Sequence, residues 1–356
     1  MNNTNTSILS ISGESGGGQL LRSSLSLALV TGQAFHMTKI RGKRPKPGLM
    51  RQHLTCVKAA AEVCAAEVEG AELGSVELVF RPGKIAGGDY CFAIGSGGST
   101  TLVFQTLFPA LLHAETPSTL RIEGGTHNPM APPFEFIEQC FLPVLQSMGV
   151  EATVELERHG FMQAGGGVLK AAIHPIKKWK KLTLTERGED LGRFGKVLNA
   201  HLPRSIVERE IDAANVVFPL PIKATEANDS IGPGNAIMLG ARFANVCEIS
   251  TGIAQFGKSA EAVAIGAAKG LRGYLASTAP VSAHLADQLL LPMALARTGV
   301  FHTLSITNHT RTNLALIEQF LPIRFEVSPL EAGIWSVSVS ATKADSSPRE
   351  TRLHQE

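Results

Sequence analysis

The sequence predicts an α/β or α+β fold built from repeated helix-on-sheet units, with helices on one face of each sheet. Three observations carry this expectation. Glycine clusters precede apolar stretches, at Gly16-Gly17-Gly18 and again at Gly95 to Ser99. Helix-like stretches are followed by alternating ones, Gln52–Val68 by Ser75–Phe80 and Phe134–Met148 by Val150–Leu156. Two segments also share wording: Ile137-Glu-Gln-Cys-Phe-Leu-Pro143 and Ile317-Glu-Gln-Phe-Leu-Pro322 each lead towards a strand, as copies of one unit would.

Taken in order, the first glycine run opens a segment whose Leu20, Leu21, Leu25 and Leu27 fit a helical period, and the second opens Leu102–Leu112. A third run, Gly165-Gly166-Gly167, precedes Val168–Ile173, which reads as a strand. KKWKK at Lys177–Lys181 reads as a solvated strand edge. The chain then changes character. Helix-like pieces at Arg204–Ala214 and Ala260–Leu275 flank a strand-like Ala236–Leu239, and the outer pattern resumes near Thr278. We therefore expect a large discontinuous domain over 1–181 and 278–341, an inserted α/β domain over 182–277, and a polar tail over 342–356.

Composition narrows the function. The chain has 356 residues, 44% of them hydrophobic, enough for a sizeable core and against wholesale disorder. Its 33 Lys+Arg against 31 Asp+Glu leave +2, which excludes a binder running on bulk positive charge. Aromatics at 6% argue against a single-strand binder built on stacked rings. Five widely spaced cysteines give neither a disulfide framework nor a zinc ribbon. No basic n-region or long apolar run stands at the N-terminus, so a cytoplasmic protein without a membrane span is expected.

Several segments could carry chemistry. Gly13–Arg22 combines glycine with a helix start, which suits an anion, although a tight turn before a helix is the plainer reading of this segment alone. Ile40–Leu54 holds Arg41, Lys43, Arg44, Lys46 and Arg51 on a loop stiffened by two prolines. It reads equally as a phosphate grip or a solvated basic loop. His309 follows the alternating Leu304 and Ile306, with Thr312-Asn313 as the expected N-cap of the next helix. An imidazole at a strand-to-helix junction keeps a free lone pair near neutral pH and can attack phosphorus; a capping role is the alternative. Asp287 and Gln288 lie on an apolar helix, and Asn128-Pro129 lies in a structured loop. Hydrolase elbows and zinc-protease motifs are absent.

Together, GGGQLLRSSLSLALVTG, IRGKRPKPGLMRQHL, GGDYCFAIGSGGSTTLVFQTLFPALL, GGTHNPMAPP, RHGFMQAGGG, PRSIVEREI, HLADQLLLPMALA and the His309 segment resemble the RNA 3′-terminal phosphate cyclase family from about Ile8 to about Val339. The resemblance implies a large domain of repeated units like those of enolpyruvate transferases, with a smaller thioredoxin-like insert. It implies an ATP-dependent enzyme that converts an RNA 3′-phosphate to a 2′,3′-cyclic phosphate. The route is a covalent histidine–AMP on His309 and an RNA-adenylate, with release of pyrophosphate and AMP. Gln105, Pro132, Phe136, His284, Leu285, Ala286, Asp287 and Gln288 would line the adenylate pocket. Gln19, Arg22, Arg41 and Arg44 would grip phosphates of ATP or RNA. A divalent metal, magnesium or manganese, would neutralise them, with Glu14 as its contact.

Three positions depart from the family pattern. Ser15 stands where the family has a metal-contacting glutamate, with Glu14 one residue earlier. Ser10 replaces an aspartate near the end of the first strand, and His284 stands where close relatives have tyrosine. The alternative is a non-catalytic RNA-processing or ribosome-assembly scaffold of the same superfamily. An enolpyruvate-type transferase is a third reading, but it leaves His309 without a task. The RNA substrate and the oligomeric state stay open.

Overall fold

A computed structural model describes residues 8–15, 17–330 and 333–342. The expected tail lies, beyond Thr342, outside the described residues, as does Gly16 of the first glycine run. The first unit runs β1 (Leu9–Ser12), α1 (Gly17–Thr31), β2 (Phe35–Thr38), α2 (Arg51–Cys64), β3 (Glu67–Glu69) and β4 (Leu78–Arg81). The second runs β5 (Asp89–Ala93), α3 (Thr100–Leu111), β6 (Ser118–Gly124), α4 (Phe134–Phe136), a π turn (Ile137–Phe141), α5 (Leu142–Ser147), β7 (Ala152–Arg158) and β8 (Gly167–Ile173).

After β9 (Leu182–Leu184) the chain leaves to build another sheet: β10 (Asp190–Ala200), α6 (Arg204–Val217), β11 (Ile222–Glu226), β12 (Gly234–Phe243), β13 (Cys247–Ile253) and α7 (Ala260–Leu275). The third unit then resumes with α8 (Ala283–Ala296), β14 (Thr298–Thr303), α9 (Asn308–Phe320), β15 (Ile323–Pro329) and β16 (Trp335–Ala341).

Pairing makes the repeat explicit. The sheets run β1-β2-β4-β3, β5-β6-β8-β7 and, read from its other edge, β9-β14-β16-β15. In each, the first two strands are parallel and the other pairings antiparallel. The shared wording at Ile137 and Ile317 falls in the second helix of its unit each time, just before the third strand. The fourth sheet, β11-β10-β12-β13, has the same pattern of directions. Leu182–Leu184, at the expected start of the insert, pairs with β14 and so belongs to the third sheet.

The helices meet at the centre. α1 packs on α2, α3 and α9, and its Leu20, Leu21, Leu25, Leu27 and Leu29 are buried. A helix apolar on most sides belongs between other elements rather than at a surface. Among the described residues, no helix is long and apolar enough to cross a membrane.

Four local expectations are corrected. The helix expected over Gln52–Val68 ends at Cys64, because Ala65 turns left-handed (φ 50°) and Val68 enters β3. KKWKK is a connection between β8 and β9, not a strand edge, with the Trp179 ring 6.1 Å from that of His113. The stretch 134–148 is helical but interrupted, since Pro143 has no N–H for the carbonyl four residues earlier and the wider turn falls just before it. Finally, α9 begins five residues earlier than expected. Thr307, not Thr312, is its N-cap: the Thr307 hydroxyl accepts from the Thr310 N–H at 3.0 Å, and the Thr310 hydroxyl accepts from the Thr307 N–H at 3.2 Å.

Candidate nucleotide and phosphate site

In every unit the helices start at the same end of the sheet, and these starts surround one cavity of about 870 Å³. Gln19 from the first turn of α1, His53 from α2, Leu102 from α3, His284 from α8 and His309 from α9 all line it. Helix N-termini point unpaired N–H groups outward and favour negative charge. A volume in this range suits a nucleotide-sized ligand.

The glycine run works by absence. Gly17 has φ +56°, and a Cβ there would lie 3.1 Å from Arg44 Nη2; one on Gly18 would lie 2.4 Å from His53 Nε2 and 3.0 Å from Arg22 Nη1. Two guanidinium groups and an imidazole thus close over bare backbone. Desolvation lowers the pKa of Arg22 from its ordinary value, yet a guanidinium keeps its charge throughout the working range.

His53 escaped the sequence reading. Burial, then the charges of Arg22 and Arg41, hold its pKa at about 3, so the ring is neutral. Its Nδ1 accepts the Met50 N–H at 3.3 Å, which leaves the proton on Nε2 beside Gly18. The available signal was its place three residues past the helix boundary, where a side chain can reach back to the cap. Gly18→Ala, which drives a methyl into this ring, is expected to weaken binding of a phosphorylated ligand roughly tenfold, read as a Kd by calorimetry.

Arg41 lines the cavity but is partly committed elsewhere: its Nη1 donates to the carbonyls of Lys46 and Gly48, both at 2.8 Å. It shapes the basic loop. Glu14 is placed elsewhere too, its Oε2 3.3 Å from Lys39 Nζ and the residue outside the cavity lining. Among the described residues no group of three His, Cys, Asp or Glu is arranged to hold a metal.

The helical period sorts the α8 candidates. His284, Asp287, Gln288 and Leu291 share the cavity face, at i, i+3, i+4 and i+7. Leu285 and Ala286 point away and are fully buried in the core, so their side chains do not face the cavity. Gln288 Oε1 accepts from Gln105 Nε2 at 2.7 Å, joining α8 to α3. Pro132 and Phe136 also line the cavity, and the Pro132 carbonyl accepts the Thr101 hydroxyl at 2.7 Å.

Asp287 Oδ1 accepts the Thr310 hydroxyl at 2.5 Å. Desolvation raises its pKa, against the opposing pull of that hydrogen bond and of His309 and His284. One carboxyl therefore sits among both histidines and the first turn of α9. His309 itself is exposed at the cavity wall.

Glu248 of β13 lines the same cavity, although no sequence signal marked it. It is 5% exposed, and burial lifts its carboxyl to about 8. The folded protein then holds a proton that the unfolded chain releases near 4.5, so this group's contribution to stability falls as pH rises from about 4.5 to about 8. Glu248→Gln, neutral at every pH, is expected to flatten that slope in thermal melts and to be more stable than the native chain above pH 8.

A family model described as RNA 3′-terminal phosphate cyclase matches residues 13–327. An RNA 3′-terminal phosphate cyclase of Koribacter versatilis is 49% identical over 319 residues, covering 89% of this chain and 90% of the relative. One from Pseudomonas fluorescens is 48% identical over 337 residues, covering 94% and 98%. Among solved structures, an EPSP synthase from Acinetobacter baumannii covers 59% of this chain and 54% of its own, at 15% identity and a TM-score of 0.26, a likeness too slight to bear on the fold. A match that begins at the glycine run, passes through every cavity-lining helix and ends in β15 leaves one conclusion: the chain belongs to the RNA 3′-terminal phosphate cyclase family.

Proposed function

We propose that the chain uses ATP to convert an RNA 3′-phosphate end to a 2′,3′-cyclic phosphate, in the cytoplasm, through a covalent adenylate on His309. The observation that carries the reading is an exposed imidazole on the first turn of α9 that shares a cavity with Arg22, Arg44 and a neutral His53.

In the first step an imidazole nitrogen of His309 attacks the α-phosphate. A nitrogen–phosphorus bond forms, the bond to the β-phosphate oxygen breaks, and pyrophosphate leaves with its negative charge facing the cations of the cavity. A phosphate oxygen of the RNA end then takes the adenylate, freeing the imidazole. The neighbouring 2′-hydroxyl attacks the activated phosphorus, loses its proton and expels AMP. Ring closure is favoured because nucleophile and phosphorus are already held adjacent.

Pro132, Phe136 and His284 supply apolar and ring surface for the base. Asp287, with the Gln105–Gln288 pair, supplies polar groups for the ribose and orients the α9 turn. Arg22 and Arg44 grip phosphates, and Gln19 lies beside them. A divalent ion, magnesium or manganese, would travel with the triphosphate and neutralise part of its charge.

The test uses ATP labelled at the α-phosphate, a divalent ion and an RNA with a 3′-phosphate. Expected are acid-labile label on the protein without RNA, and a cyclic end with released labelled AMP when RNA is added. A protein that takes no label and leaves the RNA end unchanged would overturn the reading in favour of the scaffold.

A further inference from the structure

The Asn128-Pro129 loop has no task in the steps above, yet it presents an unfilled acceptor to the cavity. Asn128 is 6% exposed and lines that cavity. Its Nδ2 donates to the Gly97 carbonyl, which fixes the orientation of the amide, because only the NH2 end can face a carbonyl. Oδ1 is then left without a hydrogen-bond partner among the described residues. A Cβ on Gly125 would collide with that oxygen, so bare backbone closes one side of the amide. The loop itself is pinned at both ends. His127 Nε2 lies 2.8 Å from Glu135 Oε2, and the Thr101 hydroxyl donates to the Pro132 carbonyl at 2.7 Å. A buried acceptor held rigidly without a donor costs stability in the free protein, and a ligand that brings the donor relieves that cost.

The chemistry of the reactants narrows that donor. Ionised phosphates bring acceptors only, so the donor is a sugar hydroxyl or a base amine. Position narrows it further. Gln52 Oε1 accepts the Ser99 N–H at 2.8 Å, and the next residue, His53, closes over Gly18 with Arg22. The Gly97–Ser99 loop that holds Asn128 therefore adjoins the phosphate grip. Met130, two residues on, lines the cavity yet is 87% exposed, which sets this loop at the mouth, where a polymer end enters. The nucleotide's ribose has partners elsewhere, on α8 and α9. There Asn313, one turn past His309, donates from Nδ2 to the Asp287 carbonyl at 3.4 Å and keeps its own Oδ1 unpartnered.

We propose that Asn128 binds the RNA end, its Oδ1 accepting the hydrogen bond of the terminal 2′-hydroxyl and turning that group towards the activated phosphorus. The inference rests on the cyclisation proposed above and adds a residue to its last step. The amide takes no proton. It fixes the direction of the O–H, so that an O2′ lone pair faces the phosphorus and rotation of the hydroxyl is not left to chance.

Binding is measured on the full chain, without ATP, using a fluorescent RNA with a 3′-phosphate and the same RNA with a 2′-deoxy terminal sugar. Expected on the native chain is a Kd roughly tenfold weaker for the deoxy end, and on Asn128→Ala equal Kd values for the two. The alanine variant should still take label from α-labelled ATP while closing the ring roughly tenfold more slowly or worse. Equal binding of both ends by the native chain would overturn the proposal, and so would a variant that cyclises at the native rate. Loss of label on a variant that melts as the native chain does would assign Oδ1 to the nucleotide and overturn it too. The native-chain comparison decides even if the variant fails to fold. A native chain that takes label and makes cyclic ends sustains the cyclase reading whatever these Kd values show, so the two can fail separately.

Discussion

Replacing His309 by alanine should abolish label transfer from α-labelled ATP and lower cyclisation by roughly 10⁴-fold or more, the scale seen when a covalent nucleophile is lost. Folding should be spared. His309 is exposed in the first turn of α9, and the turn is capped by the Thr307–Thr310 exchange rather than by the imidazole. Melting and cavity occupancy by ATP should therefore change little while chemistry stops. Acid-labile label on His309→Ala, found by peptide mapping at another residue, would move the nucleophile. An alanine variant with near-native rates would remove the covalent histidine altogether. Asp287→Asn offers a graded companion, since the amide keeps the size of the Asp287 side chain beside His309 and His284 without its charge.

The largest stability effect is expected at Glu135, which is not among the residues lining the cavity. Its carboxylate is buried between the His127 ring and the Lys196 ammonium, with His127 Nε2 at 2.8 Å and Lys196 Nζ at 3.1 Å. Lys196 belongs to β10, so this pair also ties the second unit to the fourth sheet. Burial alone would raise the Glu135 pKa, but His127 and Lys196 outweigh it and hold the group at about 2. Glu135→Ala leaves a buried ring and an ammonium without their partner, and should cost about 3–5 kcal/mol in urea unfolding. Because the folded pKa is depressed, the native contribution is whole above pH about 4.5 and drains away as pH falls towards about 2. The alanine variant should lack that acid limb. A variant unfolding at the native urea midpoint would show that the pair adds nothing beyond its own desolvation.

The repeat was legible because each unit reuses one order of helix and strand, and because the Ile137 and Ile317 segments kept nearly the same words at equivalent positions. The sequence changes character near Lys177, and between β9 and α8 the chain builds a separate sheet. Other features had no linear signature. Whether α9 is capped by Thr307 or Thr312 turns on which threonine pairs with Thr310, and both precede a helical pattern equally well. The basic loop announced five cations, but only folding shows that Arg41 spends its fork on its own loop's carbonyls while Arg44 lies over Gly17. The charges of Glu135 and Glu248 depend on partners from other elements, which a reading along the chain cannot bring together. Leu285 and Ala286 were carried along with their neighbours in the segment, and the helical period separates them.

One consequence follows from five helices opening onto the same hollow. Beside the guanidiniums of Arg22 and Arg44, aligned peptide groups add to the pull of that hollow on anions, a share that no titration removes and no point substitution deletes. A molecule with only two surplus charges can in this way concentrate its attraction for polyanions in one place and leave the rest of its exterior balanced. No single unit could assemble that field alone: it is a collective property of the three-fold arrangement, and a fragment holding one or two units would forfeit it.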